Sequence, residues 1–326
     1  MSGQLERRYR ALLHAYPAAY RAERGDEIVG TYLDLAAPGR RWPGPADAAD
    51  LVRGGVRQHL RAAGATGLPS ALPIAATIAL ALNTVMAVFW FAFVESTRVT
   101  AHGSDSIASP PGYGFGPFAS PGVVVWGCWA AAAVGALAGR ARPLVALALA
   151  ATVLVAPVSA VFDRFRPPIM ILLPMIALGL VALAMPRRPR FTPALAGLAS
   201  AAYTWPTMFM TSYSPADYYP VVGFLPLAAG LLGLGVLSAA VPLAARRDPR
   251  AWWPALVLLG PFLLLLVNDL ALLATGNDRS THASMPSLIA MAVAVSSVAA
   301  LVFVTILGVR QRRRRSQRRG LGYWPP

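Results

Sequence analysis

Apolar and polar positions along the chain fall into two regimes that meet near residue 70. From Pro73 to Val94 the run PIAATIALALNTVMAVFWFAFV carries no charge, over more than the roughly 20 residues a helix needs to cross a hydrocarbon layer about 30 Å thick. It predicts a membrane span. Further apolar runs at about 123–139, 144–162, 168–186, 192–212, 219–245, 251–275 and 286–308 bring the expected total to eight. Several are short, and the second and third would read as one long helix but for the Arg140 to Pro143 stretch.

Ahead of the first run the period changes to that of short amphipathic helices. Leu5, Tyr9, Leu12 and Tyr16 recur at helical spacing, and Pro17 closes the turn. A second helix over Ala18–Leu35 sets Tyr20, Ile28, Tyr32 and Leu35 against arginines and acids. Gly25 and Gly30 inside it each weaken it by about 1 kcal/mol relative to Ala, which points to close packing or a break. APGRRWPGP reads as a loop, and Pro45 suits the first turn of a third helix. Ala49, Val52, Val56 and Leu60 form its apolar stripe, with Arg53, Arg57 and Arg61 on other faces. So little large apolar surface predicts a marginal bundle that leans on the membrane or on a partner. The expected fold is all-α: a polytopic integral membrane protein of about eight transmembrane helices with a small N-terminal cytoplasmic helical domain. The divisions are a three-helix prefix at 1–64, the transmembrane part at 72–308 and a basic tail at 309–326.

Composition supports this division. Of 326 residues, 56% are hydrophobic and 13% charged, against about a quarter charged in soluble domains. The chain contains no Lys, so all 29 basic residues are Arg; with abundant Ala, Gly and Pro this reads as GC-rich codon usage. The net charge of +15 fits nucleic acid, anionic lipid or topology, and the positions of the charges decide among them. The single cysteine, Cys128, cannot form an intrachain disulfide. No cleavable signal peptide is expected, because the first apolar run begins too late.

Arginine placement orients the spans, since cytoplasmic loops retain basic residues. With the N-terminus inside, the inner turns hold Arg140 and Arg142, then Arg187, Arg188 and Arg190, then Arg246, Arg247 and Arg250. The outer loops hold Arg98, Arg164, Arg166 and Arg279, giving 25 arginines inside and four outside. Both termini are therefore expected in the cytoplasm. The inner turns ARP, RRPRFTP and RRDPRAWWP read alike, either as an internal repeat or because each hairpin needs arginine for orientation and proline to start a helix. The tail RQRRRRSQRR, Arg310 to Arg319, is expected to lie against anionic headgroups. No aromatic residues interleave it, so nucleic acid is not an expected partner.

Within the spans the conspicuous polar residues are Asn83 and the pair Asn268–Asp269. A carboxylate at membrane depth costs about 2.5–3.5 kcal/mol even on lenient scales and so faces an interior, a cavity or a partner. Asp269, Asn268 and Asn83 are the candidates for a substrate or ion pathway, beside a structural hydrogen bond or a wet outer vestibule. Glu95 and Asp163 lie at span ends, the latter within reach of Arg164 or Arg166. Pro157, Pro174, Pro206, Pro226 and Pro261 interrupt spans, as in the broken helices of transporters. GALAG at 135–139 matches the small-xxx-small pattern of close helix approach. Tyr203, Trp205, Tyr213, Tyr218 and Tyr219 suit an outer aromatic belt, and Trp252 and Trp253 an inner one. His14, His59, His102 and His282 are scattered and none stands in a metal spacing, and no Gly-rich loop ends in Lys-Ser or Lys-Thr. GNDRSTH at 276–282 reads as a polar outer turn more readily than as a hydrolytic site. No catalytic residue, metal site or cofactor is expected, and the chain is not expected to be an enzyme.

The run LLHAYPAAYRAERGDEIVGTYLDL resembles the short helical prefix domain that precedes the membrane part of certain bacterial ABC-type permeases. It is also similar to small helical domains of bacterial membrane signalling proteins. Tyr16, Pro17, Tyr20, Arg21, Gly25 and Glu27, followed by an apolar helix, carry the pattern over the first 60 residues. Those permeases have a large extracytoplasmic domain between their first two spans, where this chain has a short Gly/Ser/Pro stretch at 95–121. The resemblance therefore implies a cytoplasmic adaptor or regulatory module, with residues 1–62 meeting a protein partner. Beside this regulatory or transport-associated role stand a small-solute transporter working near Asp269 and, less favoured, an intramembrane enzyme.

Overall fold

A computed structural model describes residues 2–37, 39–62, 65, 67–91, 118, 120–161, 167–186, 221–248, 250–275 and 285–320. The regular elements among the described residues are all helices. Helix α1 covers Ser2–Leu12 and tightens into a 3-10 turn at Leu13–Ala15, followed by α2 at Ala18–Asp34 and α3 at Pro45–Ala62. Then come α4 (Leu68–Trp90), α5 (Gly122–Leu137), α6 (Ala141–Val161) and α7 (Ile169–Ala182). The series closes with α8 (Val221–Ala245), α9 (Trp253–Leu265), α10 (Val267–Thr275) and α11 (Met285–Gly320). Among the described residues three stretches are long and apolar enough to cross a membrane: Leu68–Trp90, Phe224–Ala245 and Pro286–Arg310. They become four if α9 and α10 are one broken span. The apolar helices α5, α6 and α7 are shorter, and the run expected at 192–212 lies outside the described residues. So do the loop at 95–117, Asp163 with its arginines, the turn at 187–190, Pro206, the outer tyrosines with Trp205, and GNDRSTH.

The chain divides into two compact units, residues 1–69 with 302–326, and residues 70–301. In the first, Leu5, Tyr9, Leu13, Tyr16, Val29 and Leu51 form the core. Leu12 is partly buried against this core as expected, and Leu13 joins it more deeply because the 3-10 turn has three residues per turn and so brings Leu13 and Tyr16 onto one side. Leu35 is exposed, as are Val52 and Val56, so the stripe expected to bury α3 points away and Leu51 with Gly55 points in. The reason lies in Gly54 and Gly55. A Cβ on Gly55 would overlap the Ala15 carbonyl, and one on Gly54 the Tyr16 hydroxyl, so only this bare face lets α3 approach the turn. Gly25 is buried with ordinary room beside Leu13, and Gly30 has open space, so α2 runs through both unbroken.

Polar ties complete this bundle. The Tyr9 hydroxyl donates to Asp47 Oδ2 at 3.1 Å and the Tyr32 hydroxyl to Asp50 Oδ2 at 2.6 Å. Asp47 also accepts the Gly44 N–H at 3.1 Å, the reach-back of a residue in the first turn that satisfies an orphan donor at the start of α3. The Arg8 guanidinium stacks 3.3 Å from the Trp42 ring centre.

In the second unit α5 packs on α6, α6 on α7, α7 on α9 and α8 on α9. Trp90, Trp126, Trp129 and Trp253 are fully buried, so Trp253 is a core residue rather than a belt residue. Trp129 donates its indole N–H to the Thr152 hydroxyl at 3.0 Å and fits because Gly179 has no side chain, a Cβ there lying 2.9 Å from the ring. Phe89 stacks on Phe224 with ring centres 3.9 Å apart. Outward, Val134, Leu147, Leu154, Leu180, Leu237 and Leu273 are exposed. Apolar surface on this scale needs a covering other than water.

Two connections close in the same way. After α5, Gly139 adopts a left-handed φ of 74°, its N–H donating to Ala136 O and that of Arg140 to Gly135 O. After α8, Arg247 adopts φ 54°, its N–H donating to Ala244 O and that of Asp248 to Leu243 O. Both are Schellman motifs, which satisfy the last carbonyls of a helix. GALAG thus marks a real close approach at its first glycine, where a Cβ would overlap Leu144 of α6, while its last glycine makes the turn.

Candidate functional site

The sharpest irregularity in the second unit falls at Leu266, where α9 ends and α10 sets off at 58°. Pro261 lies inside α9, and its ring both lacks an N–H and crowds the preceding turn. Leu266 caps α9 by donating to Leu263 O at 3.2 Å, and its own carbonyl accepts Leu270 N–H at 2.9 Å to start α10. Asn268 and Asp269 occupy the first turn of α10, where a carboxylate meets the positive end of the helix dipole. Asn268 is buried at 1% exposure, while Asp269 is half-buried with one carboxylate oxygen closed to solvent. The break was not anticipated at this position; the adjacent Asn-Asp pair, which favours helix starts, is the signal that could have found it.

Asn83 stands apart from this pair in its bonding. It is fully buried in α4 and donates through Nδ2 to the Met175 carbonyl of α7 at 3.1 Å, one residue beyond Pro174. Its Oδ1 is buried without a hydrogen-bond partner. Asn83 is thus a tie between two helices, of the kind worth about 0.6 kcal/mol in bilayers. The described helices also hold Pro73 and Pro242 besides the expected Pro157, Pro174, Pro226 and Pro261.

Comparison with known protein families, curated proteins and solved structures finds no match to this chain. Its reading rests on its own residues.

Those of the prefix motif build a corner rather than a pocket. Tyr16 is buried and stacks on Tyr20 at 5.6 Å between ring centres, Pro17 caps α2, and Gly25 is buried facing Leu13. Arg21 is half-buried with its Nε lacking a hydrogen-bond partner, and Glu27 is exposed. Burial and the neighbouring carboxylates push the Tyr9 and Tyr32 hydroxyls above the ordinary phenol value. Between α8 and α9 the Arg250 guanidinium and backbone N–H grip the Asp248 carboxylate at 2.6–2.9 Å and hold it below the usual carboxylate range. The Arg142 guanidinium, at the start of α6, donates to the Met185 carbonyl at 2.8 Å. Among the described residues no three His, Cys, Asp or Glu side chains come together as a metal set.

Proposed function

We propose that this is a non-enzymatic, multi-pass bacterial inner-membrane protein of eight spans, with both ends in the cytoplasm. In this reading its helical prefix couples the membrane bundle to a soluble protein partner in regulation or transport. One observation carries the coupling role: the prefix has a core of its own, with Tyr9, Leu13, Tyr16, Val29 and Leu51 packed across three helices ahead of the first long apolar helix. The threading is supported by the arginines, which gather in alternate connections. The Arg310–Arg319 tail meets anionic headgroups, and no nucleic acid is required to account for it. Deleting residues 1–62 tests the coupling: the truncated protein is expected to insert normally but to lose its partner in affinity capture. A truncated protein that keeps every partner of the full chain ends this reading.

A second reading, a small-solute transporter, is favoured by one feature, the 58° break immediately before Asn268 and Asp269. Transporters bind at such broken helices because backbone groups and half-helix ends are released there. Asp269→Asn is then expected to abolish solute flux in vesicles, and unchanged flux removes Asp269 from the pathway.

A further inference from the structure

Helix α3 has two apolar arcs, and only one is used by the bundle. At about 100° per residue, Leu51 and Gly55, both buried, face the core, whereas Val52 and Val56 lie about 100° round the helix from them at 43% and 51% exposure. Ala49 and Leu60 extend this outer arc. Arg53, Arg57 and Arg61 form an exposed row along one edge of it, at steps of four. Of the acids on α3, Asp47 accepts Tyr9 and Asp50 accepts Tyr32, and His59 lies on the other edge. An apolar arc edged by guanidinium groups is the pattern of a helix lying in a membrane interface. The chain also fixes how far this arc can stray. Five residues, 63–67, join α3 to a 23-residue apolar helix, a reach of at most about 18 Å.

We propose that the outer arc of α3 docks on an anionic bilayer, with Val52, Val56 and Leu60 among the upper acyl chains and Arg53, Arg57 and Arg61 on lipid phosphates. Guanidinium forks match phosphate oxygens two at a time, whereas a second copy of the chain would present the same arginine row to itself. The proposal concerns lipid and not the soluble partner, so its failure leaves the deletion experiment above untouched.

The test uses the full chain in a Cys128→Ala background, spin-labelled through Val52→Cys, Val56→Cys or Arg57→Cys, in nanodiscs holding one copy. Labels at 52 and 56 are expected to be open to oxygen and closed to an aqueous nickel chelate in phosphatidylglycerol discs, and the label at 57 the reverse. In phosphatidylcholine discs the contrast should weaken, as it should in anionic discs on Arg53→Gln, Arg57→Gln and Arg61→Gln. Each lost charge lowers interfacial occupancy about fivefold. These positions lie outside the bundle core, and unchanged protease resistance of the prefix verifies its fold. Full access of the chelate to 52 and 56 overturns the proposal. So does protection that is equal in both lipids, or that appears only when a disc holds two copies.

Discussion

Gly139 and Arg247 occupy the same left-handed position in two helix-ending turns, and only one of them is glycine. The left-handed region costs a residue with a Cβ about 1–2 kcal/mol. Gly139→Ala is therefore expected to destabilise the protein by about 1 kcal/mol, and Arg247→Gly to stabilise it by about 0.5 kcal/mol after the greater chain entropy of glycine is subtracted. Thermal unfolding of both variants in detergent measures the pair. In the prefix, Gly55→Ala sets a methyl against the Ala15 carbonyl and is expected to cost about 1–3 kcal/mol, as overpacking does. Gly30→Ala meets nothing within 4 Å and is expected to gain about 0.5–1 kcal/mol. Protease resistance of the prefix should move in opposite directions for these two. The sequence drew attention to Gly25 and Gly30 because they interrupt a helix on an otherwise regular face. Gly54 and Gly55, which matter for packing, sit between Arg53 and Val56, off the expected apolar stripe, where a missing side chain leaves no mark on periodicity.

Among elements, the prefix helices are joined by tyrosine hydroxyls donating to Asp47 and Asp50. The hydroxyl values are raised on folding, so the stability they contribute is complete below about pH 10 and is lost as pH climbs toward the folded-state values. Tyrosinate absorbance of the full chain should show a late-titrating class that appears together with loss of helix by circular dichroism. Tyr32→Phe is expected to weaken the prefix by about 1–2 kcal/mol and to remove one member of that class. For Asp248 the sign is opposite: its folded value is lowered by Arg250, so its contribution is present above the ordinary 3.8 and fades as pH falls through the lower folded value. Helices were legible as elements because 3.6-residue periodicity and uncharged length survive in the string. Their facing was less so: the α3 stripe was visible as Ala49, Val52, Val56 and Leu60, yet periodicity says that an arc is apolar and not what it touches. The break at Leu266 was hard to see because α9 and α10 fall within one apolar run whose sole polar interruption is Asn268 and Asp269.

For the molecule as a whole, seven of the eight apolar runs coincide with described helices, while length alone admits three, or four with the bent pair. The proposed threading adds the short ones on the strength of arginine placement. A tag near Asp248 should be shielded from a cell-impermeant reagent and a tag near Ser104 labelled; the converse inverts the topology. Asn83, Asn268 and Asp269 stood out in the sequence because polar side chains are rare in apolar runs, but the partner of Asn83 belongs to a helix far away along the chain. That Asn83 meets Met175 could not be read from either residue alone.

Among the three long apolar stretches, α4 is the most enclosed, with 61% of its apolar window buried. Its Asn83 side chain crosses to the Met175 carbonyl of α7, so any shift of α4 along its own axis against α7 must give up that hydrogen bond and strand a polar side chain in an apolar interior.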